Sequence, residues 1–342
     1  MSRIVTSGEI MLRLTPPDHI RLGAANTLNM YYGGSEANTA ISLSVLGNDV
    51  CYVTKLPANP LGDAALGTLA RYQVDTGYIV RGGERLGTYY LETGASLRPS
   101  FVVYDRKNSA IATADPDEFD YEGALKGADL LHVTGITAVL SDNAYQITKN
   151  LVDTAWENQI PVSIDLNYRA KLWTDGVAEK QKRMQYLVEH AAICFGNPLD
   201  LMKSCGYDDG HDYLSMPYRE VVSADAMGAA VKAYGFRYLL TSLRQNLSAS
   251  KNILSAAVSD GFGLYTGASY EIDQIIDRVG SGDAMVAGFL HSLFAGRSME
   301  ESLEFAIAAA AIKHTIPGDF NTASEDEILA LMATGGRGLV SR

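Results

Sequence analysis

Cysteine is scarce in this 342-residue chain: Cys51, Cys194 and Cys205 are odd in number, widely spread and form no CxxC pair. That argues against a disulfide framework and a zinc site, and makes a reducing cytoplasm the expected compartment. Basic residues are in deficit, with 28 Lys and Arg against 40 Asp and Glu and a net charge of -12. The surplus repels nucleic acid and anionic lipid, so neither is an expected partner, although a local basic site can still take a small anion. Long apolar runs are missing too. The longest one near the C-terminus, 305–312, is far short of the ~20 residues that span a bilayer. No basic start followed by an apolar stretch opens the sequence, so neither export nor a membrane anchor is expected. The six histidines form no HxxxH-type pair for a metal. GxxxxGK[ST] is absent, as is GxGxxG after a strand, which removes the main support for P-loop and dinucleotide-binding readings.

What is present is the composition of a globular protein, 47% hydrophobic, in a chain long enough to bury a core unaided. Apolar, β-rich runs at 4–7, 50–53, 130–133, 162–164, 192–195 and 238–241 predict buried strands of a mainly parallel sheet. Helical spacing separates them: Ala37, Ala40, Ile41 and Val45 stop at Gly47, and Ala144, Ile147, Leu151 and Ala155 follow a candidate cap, Asp142. This alternation predicts a doubly wound α/β fold, with helices flanking the sheet in one domain over 1–342. Two stretches, 11–32 and 87–111, break the rhythm, and the second reads as a hairpin with its loop at 94–100. Together they predict a small β-sheet that closes as a lid over the carboxyl ends of the parallel strands, where such sheets bind ligands.

The run 275–290, IIDRVGSGDAMVAGFL, carries the most chemistry. Gly280, Ser281 and Gly282 can bring backbone N–H groups close to an anion, at the positive end of a helix that begins after them. Asp283 on that terminus reads either as a helix cap or as a base taking a proton from a hydroxyl that approaches the same phosphate.

Asp277-Arg-Val-Gly-Ser-Gly-Asp283 resembles the C-terminal signature of the ribokinase-like (PfkB) carbohydrate kinases, and Gly33-Gly34-Ser-Glu-Ala-Asn38 resembles their N-terminal Gly-Gly signature. The resemblance covers nearly the whole chain. It implies that Asp283 is the catalytic base, that Gly280 to Gly282 form the anion hole, and that the paired glycines let a sugar approach the backbone at Gly34. Asp165-Leu-Asn-Tyr-Arg-Ala-Lys-Leu-Trp173 and Val102-Val-Tyr-Asp-Arg-Lys-Asn-Ser-Ala110 are most similar to the 2-keto-3-deoxygluconate kinases of that family. They imply that Tyr90, Tyr104, Arg106 and Arg169 hold the substrate, although Asp105 stands where the lid segment usually has a second Tyr. A late acid, Asp319, is implied near the sugar acid, and the helix around 305–314 beside adenine. On the nucleotide side the resemblance implies Asn167, Asn197, Ser242, Arg244, Gly280 and Gly282. Asp200 replaces the Glu of an NxxE motif that arranges Mg²⁺ through water, and the usual glycine loop is missing at 241–244. A monovalent cation, K⁺, is implied at Asp277, and a homodimer through the lid.

Physical chemistry supports an acid substrate. Two guanidiniums converging on one ligand suit a carboxylate better than a neutral sugar. Read alone, Arg106 could be a solvated strand residue and Arg169 half of a structural salt bridge. The expected activity is ATP- and Mg²⁺-dependent phosphorylation of 2-keto-3-deoxygluconate at its C6 hydroxyl, giving a phosphorylated acid for an aldolase. Kinases of fructose, tagatose or 2-keto-3-deoxygalactonate, and a non-catalytic sugar-acid sensor, are the alternatives.

Overall fold

The computed structural model describes residues 1–335; residues 336–342 lie outside it. All six apolar runs form strands: β1 (Arg3–Ser7), β4 (Asp49–Leu56), β8 (Leu130–Thr134), β9 (Val162–Asp165), β10 (Ile193–Phe195) and β11 (Tyr238–Asn246). With a short edge strand β5 (Ile79–Arg81) they pair in parallel in the order β11-β10-β9-β8-β1-β4-β5. Beyond β11 the pairing reverses. β12 (Asn252–Ser259) runs antiparallel to β11, and β13 (Leu264–Thr266) and β14 (Tyr270–Ile272) both pair antiparallel with β12.

The continuous apolar runs follow from burial on both faces. Ile4, Val50 and Leu130 enter one core; their neighbours Val5, Cys51 and Leu131 enter the other. Helices Ser35–Val45, Ser281–Phe294 and Met299–Lys313 cover the first face, and Asp142–Glu157 and Val177–Glu189 cover the second. The cap of Asp142–Glu157 is Ser141, whose hydroxyl accepts from the Ala144 N–H, so Asp142 is the first helical residue instead. Helix Met299–Lys313 is buried from Phe305 to Ala311 and packs into the core. None of its residues lines the cleft between the two sheets. Among the described residues no helix is long and apolar enough to cross a membrane.

The two arrhythmic stretches form a second sheet, ordered β3-β2-β6-β7, from β2 (Met11–Thr15), β3 (Asn29–Gly33), β6 (Thr88–Glu92) and β7 (Phe101–Asp105). Residues directly opposite one another share a face. Tyr31, Arg13, Tyr89 and Tyr104 therefore make one row, and Met30, Leu14, Tyr90 and Val103 make the adjacent row on the other face. Tyr89 and Tyr104 line a cleft against the main sheet; Tyr90 does not. The pleat sends Tyr90 away from the expected substrate site, and Tyr89 takes the inward position.

Candidate active site

The cleft, of about 870 Å³, lies where β9, β10 and β11 end and the lid overhangs them. Asp283 is buried at its floor. It sits in the first turn of Ser281–Phe294, but its carboxylate caps nothing: Oδ1 accepts from Ser35 Oγ at 2.6 Å and Oδ2 from Asn38 Nδ2 at 2.7 Å. Burial pushes the Asp283 carboxyl above the ordinary carboxylate range, and the two donors oppose that rise. The capping alternative thus fails, and a buried, oriented carboxylate on the cleft is what remains.

The glycine turn has two distinct jobs. Gly280 has φ +80°, and a Cβ there would lie 1.8 Å from the Asp319 carbonyl oxygen, so only glycine fits the turn. At Gly282 a Cβ would meet nothing within 4 Å, which leaves bare backbone open to an anion at the helix N-terminus. Ser281 is buried, with its Oγ accepting from Arg244 Nη2 at 2.8 Å. All three line the cleft. The N-terminal pair behaves differently from expectation. A Cβ on Gly33 would strike the Asp319 carboxylate at 2.1 Å, and one on Gly34 the Glu9 carbonyl at 1.8 Å. Close packing of chain on chain already requires both glycines, although Gly34 also borders the cleft.

Arg169 is exposed on the cleft wall and has no ion-pair partner among the described residues, so the structural salt bridge is not found. Arg106 is buried rather than solvated. Its Nε and Nη2 both contact Glu9 Oε2, at 2.7 and 2.5 Å, so half of this guanidinium is neutralised within the protein. Asp105 does not line the cleft and is held by Arg85 at 2.7 and 2.8 Å.

On the opposite side, Ser242, Arg244 and Asn167 line the cleft as expected. Asn167 is engaged through Nδ2 with Ser35 Oγ at 2.8 Å and Asp165 Oδ2 at 3.1 Å, and it orients the Asp283 network. Asn197 is drawn back from the cleft to cap Pro198–Cys205, with Nδ2 on Asp200 Oδ2 at 2.6 Å, so it holds Asp200 in place. In place of a glycine loop, β11 and β12 continue as a long hairpin. Its tip leans on the lid loop, where Ala249 N–H donates to the Ser96 carbonyl at 2.8 Å.

Asp319 lines the cleft as expected, and its oxygens also tie the lid to the core: Oδ1 accepts from Arg13 Nη1 at 2.8 Å and Oδ2 from the Tyr89 hydroxyl. Asp277 does not line the cleft and pairs with Arg13 Nη2 at 2.7 Å, a poor fit to a K⁺ ligand.

Comparison with known proteins decides the family. The model of the pfkB family carbohydrate kinases matches residues 1–235 and 254–326. The chain belongs to that family. A solved PfkB relative, the 2-dehydro-3-deoxygluconokinase of Thermotoga maritima, is 42% identical over 97% of this chain and 98% of its own, with TM-score 0.91. The 2-dehydro-3-deoxygalactonokinase of Haloferax volcanii is 30% identical over 99% of both chains. A fructokinase double mutant from Vibrio cholerae, solved with fructose, ADP and potassium, shares the fold at TM-score 0.75 and 18% identity, over 97% of this chain and 98% of its own.

For a PfkB kinase the cleft also contains residues that sequence reasoning passed over. Asp165 ends β9, and burial, then the Asp283 charge, raises its carboxyl to about 7. Asp200 is raised by burial as well. These two carboxylates, without a third acid to make a cluster among the described residues, fit a hard cation held through water rather than a full protein cage. Arg278, inside the C-terminal signature, faces Arg244, whose guanidinium is pressed below its ordinary value by burial and then by the Arg278 and Arg169 charges. Such a concentration of positive charge in an acidic protein suits phosphates.

Proposed function

We propose that the protein transfers the γ-phosphoryl group of ATP to the C6 hydroxyl of 2-keto-3-deoxygluconate. The observation that carries this reading is the pairing, in one cleft, of Arg169, unpartnered among the described residues, with Asp283 beside the open Gly282 backbone. An unpaired guanidinium is poorly matched to a neutral sugar but holds a carboxylate with charge-assisted bonds. The names of the Thermotoga and Haloferax relatives, both kinases of ketodeoxy acids that differ only at C4, support the substrate class.

The chemistry is mostly positioning. With Arg169, the free side of Arg106 and Tyr104 holding the acid end, the sugar alcohol lies toward Asp283, which accepts its proton as the oxygen attacks phosphorus. The raised affinity of Asp283 for a proton helps a base, while Ser35 and Asn38 fix its direction. The 280–282 amides and the helix end stabilise charge on the transferring phosphoryl oxygens. Arg244 and Arg278 face the same phosphates. Asp165 and Asp200 would hold Mg²⁺, which would supply neutralising charge to the phosphates of ATP.

The outer lid row supports a homodimer: Met30 and Val103 are exposed apolar residues on one four-stranded sheet. Light scattering of the parent and Val103→Lys tests it; a dimer that the lysine splits is the expected result.

A panel of 2-keto-3-deoxygluconate, its C4 epimer, fructose and tagatose with ATP, read as ADP release, tests the substrate. The gluconate-type acid should give the highest kcat/KM. Preference for the epimer would transfer the reading to the Haloferax relative's substrate, and better turnover of fructose would overturn the carboxylate argument. Tight binding of the acid without ADP release would mark a sensor.

A further inference from the structure

Every polar atom of Asp277 is already engaged. Its N–H donates to the His314 carbonyl at 3.2 Å, Oδ1 accepts from Val279 N–H at 3.1 Å, and Oδ2 accepts from Gly318 N–H at 3.1 Å and Arg13 Nη2 at 2.7 Å. Its carbonyl oxygen accepts from Lys313 Nζ at 3.4 Å, and the same ammonium donates to the Ile316 carbonyl at 3.0 Å. Lys313 is fully buried. An ammonium so placed requires compensation: burial pulls Lys313 down to about 8, while the charges of Asp277, Asp319 and Asp283 oppose that fall and Arg13 adds to it.

These contacts join two segments that matter to the reaction. The stretch leading into the glycine turn, 276–280, lies against 314–319 through Ile276 N–H on the His314 carbonyl at 2.8 Å and the near-contact of Gly280 with the Asp319 carbonyl. Carbonyl dipoles converging from both segments repel unless a cation stands between them. Potassium serves that purpose well among carbonyl oxygens, and a compact ammonium with three donors can do the same. Asp277 is the residue at which a bound potassium ion is expected from the family resemblance, and here its atoms are taken by backbone and side-chain groups of the protein itself.

We propose that the Lys313 ammonium replaces the monovalent cation in this chain, bracing the turn that carries Gly280 to Asp283, so that phosphoryl transfer does not require potassium. Lys313 is a positioning residue, acting through the 277 and 316 carbonyls. The proposal rests on the chain's being a working kinase and is indifferent to which sugar acid it prefers.

Two measurements on the parent protein test it without any variant. Initial rates with ATP and Mg²⁺, compared in potassium chloride and tetramethylammonium chloride of equal ionic strength, should agree within about twofold. A saturable stimulation of about tenfold or more by potassium would overturn the proposal. Melting curves in the same two salts need no substrate. They should coincide, and a saturable, potassium-specific rise in Tm would overturn it even if the acceptor had been misidentified. Lys313→Met adds the converse: kcat in tetramethylammonium should fall by about tenfold or more, and potassium or ammonium should restore part of it. A folded variant with normal kcat in both salts, or one whose loss neither ion relieves, would contradict the assignment. Should the methionine variant not fold, the parent rates and melts still decide.

Discussion

Asn38 Nδ2 donates to Asp283 Oδ2 at 2.7 Å, joining two residues 245 positions apart in the chain. The N-terminal Gly-Gly signature and the C-terminal GSGD turn are thus halves of one device: the first supplies the donors that aim the carboxylate of the second. Asn38→Ala should lower kcat by about tenfold while leaving the KM for ATP little changed. Donors favour the charged form, so their removal raises the Asp283 pKa further; the acid limb of the kcat/KM profile should move to higher pH. An unmoved limb would show that Asn38 does not orient the base.

Arg169, which has no ion-pair partner among the described residues, is the cation we propose for the substrate carboxylate. Its removal in Arg169→Ala should raise KM for the ketodeoxy acid by about 10- to 100-fold, the worth of one or two charge-assisted bonds, with a smaller effect on kcat. Turnover of a neutral ketose, if detectable, should change much less. Equal losses for acid and ketose in steady-state assays would remove Arg169 from carboxylate recognition.

The two turn glycines separate stability from catalysis. Gly280→Ala forces a left-handed backbone on a residue with a Cβ, at a cost of about 1–2 kcal/mol before the clash with Asp319 is counted, so urea unfolding should show a marked loss. Gly282→Ala meets no neighbour and should fold normally, yet its methyl enters the space we propose for phosphate. A fall in kcat of about tenfold or more with an unchanged unfolding midpoint is expected.

Glu36 offers a pH test. It is fully buried, and burial raises its carboxyl from 4.5 to about 7, against the hydroxyls of Thr134 and Thr137 that donate to Oε1 at 2.6 Å. Between those values the native protein keeps a proton that the unfolded chain has released. Stability from this group therefore falls as pH rises through the window. Glu36→Gln should flatten the decline of Tm between about pH 4.5 and 7; an unaltered slope would assign the decline to other acids.

Sequence patterning was most informative where burial is two-sided. Most parallel strands have apolar residues for both cores, as Ile4 and Val5 show, and such runs are visible without partners. The edge strand β5 and the antiparallel strands β13 and β14 are three residues each, too short for a period to declare itself. The catalytic turn was legible because Gly280, Gly282 and Asp283 stand together in sequence. Tyr89 and Tyr90 were not separable, since which of two adjacent tyrosines faces inward depends on the pairing of β2 with β6. The partners of Asp319 were hidden for a similar reason: Arg13 and Tyr89 come to it from across the chain, and a run of five residues around it carries no sign of them. Asp165 lay within a quoted string at a strand's carboxyl end, a position that could have marked it.

The account depends above all on Asp283 as the base, and Asp283→Asn measures that directly. The amide is the same size and can still meet Ser35 and Asn38, so the fold should be kept. A drop in kcat of about 10²- to 10⁴-fold, with a modest change in KM and a native melting profile, is the predicted result. Turnover close to that of the parent in the folded variant would contradict it.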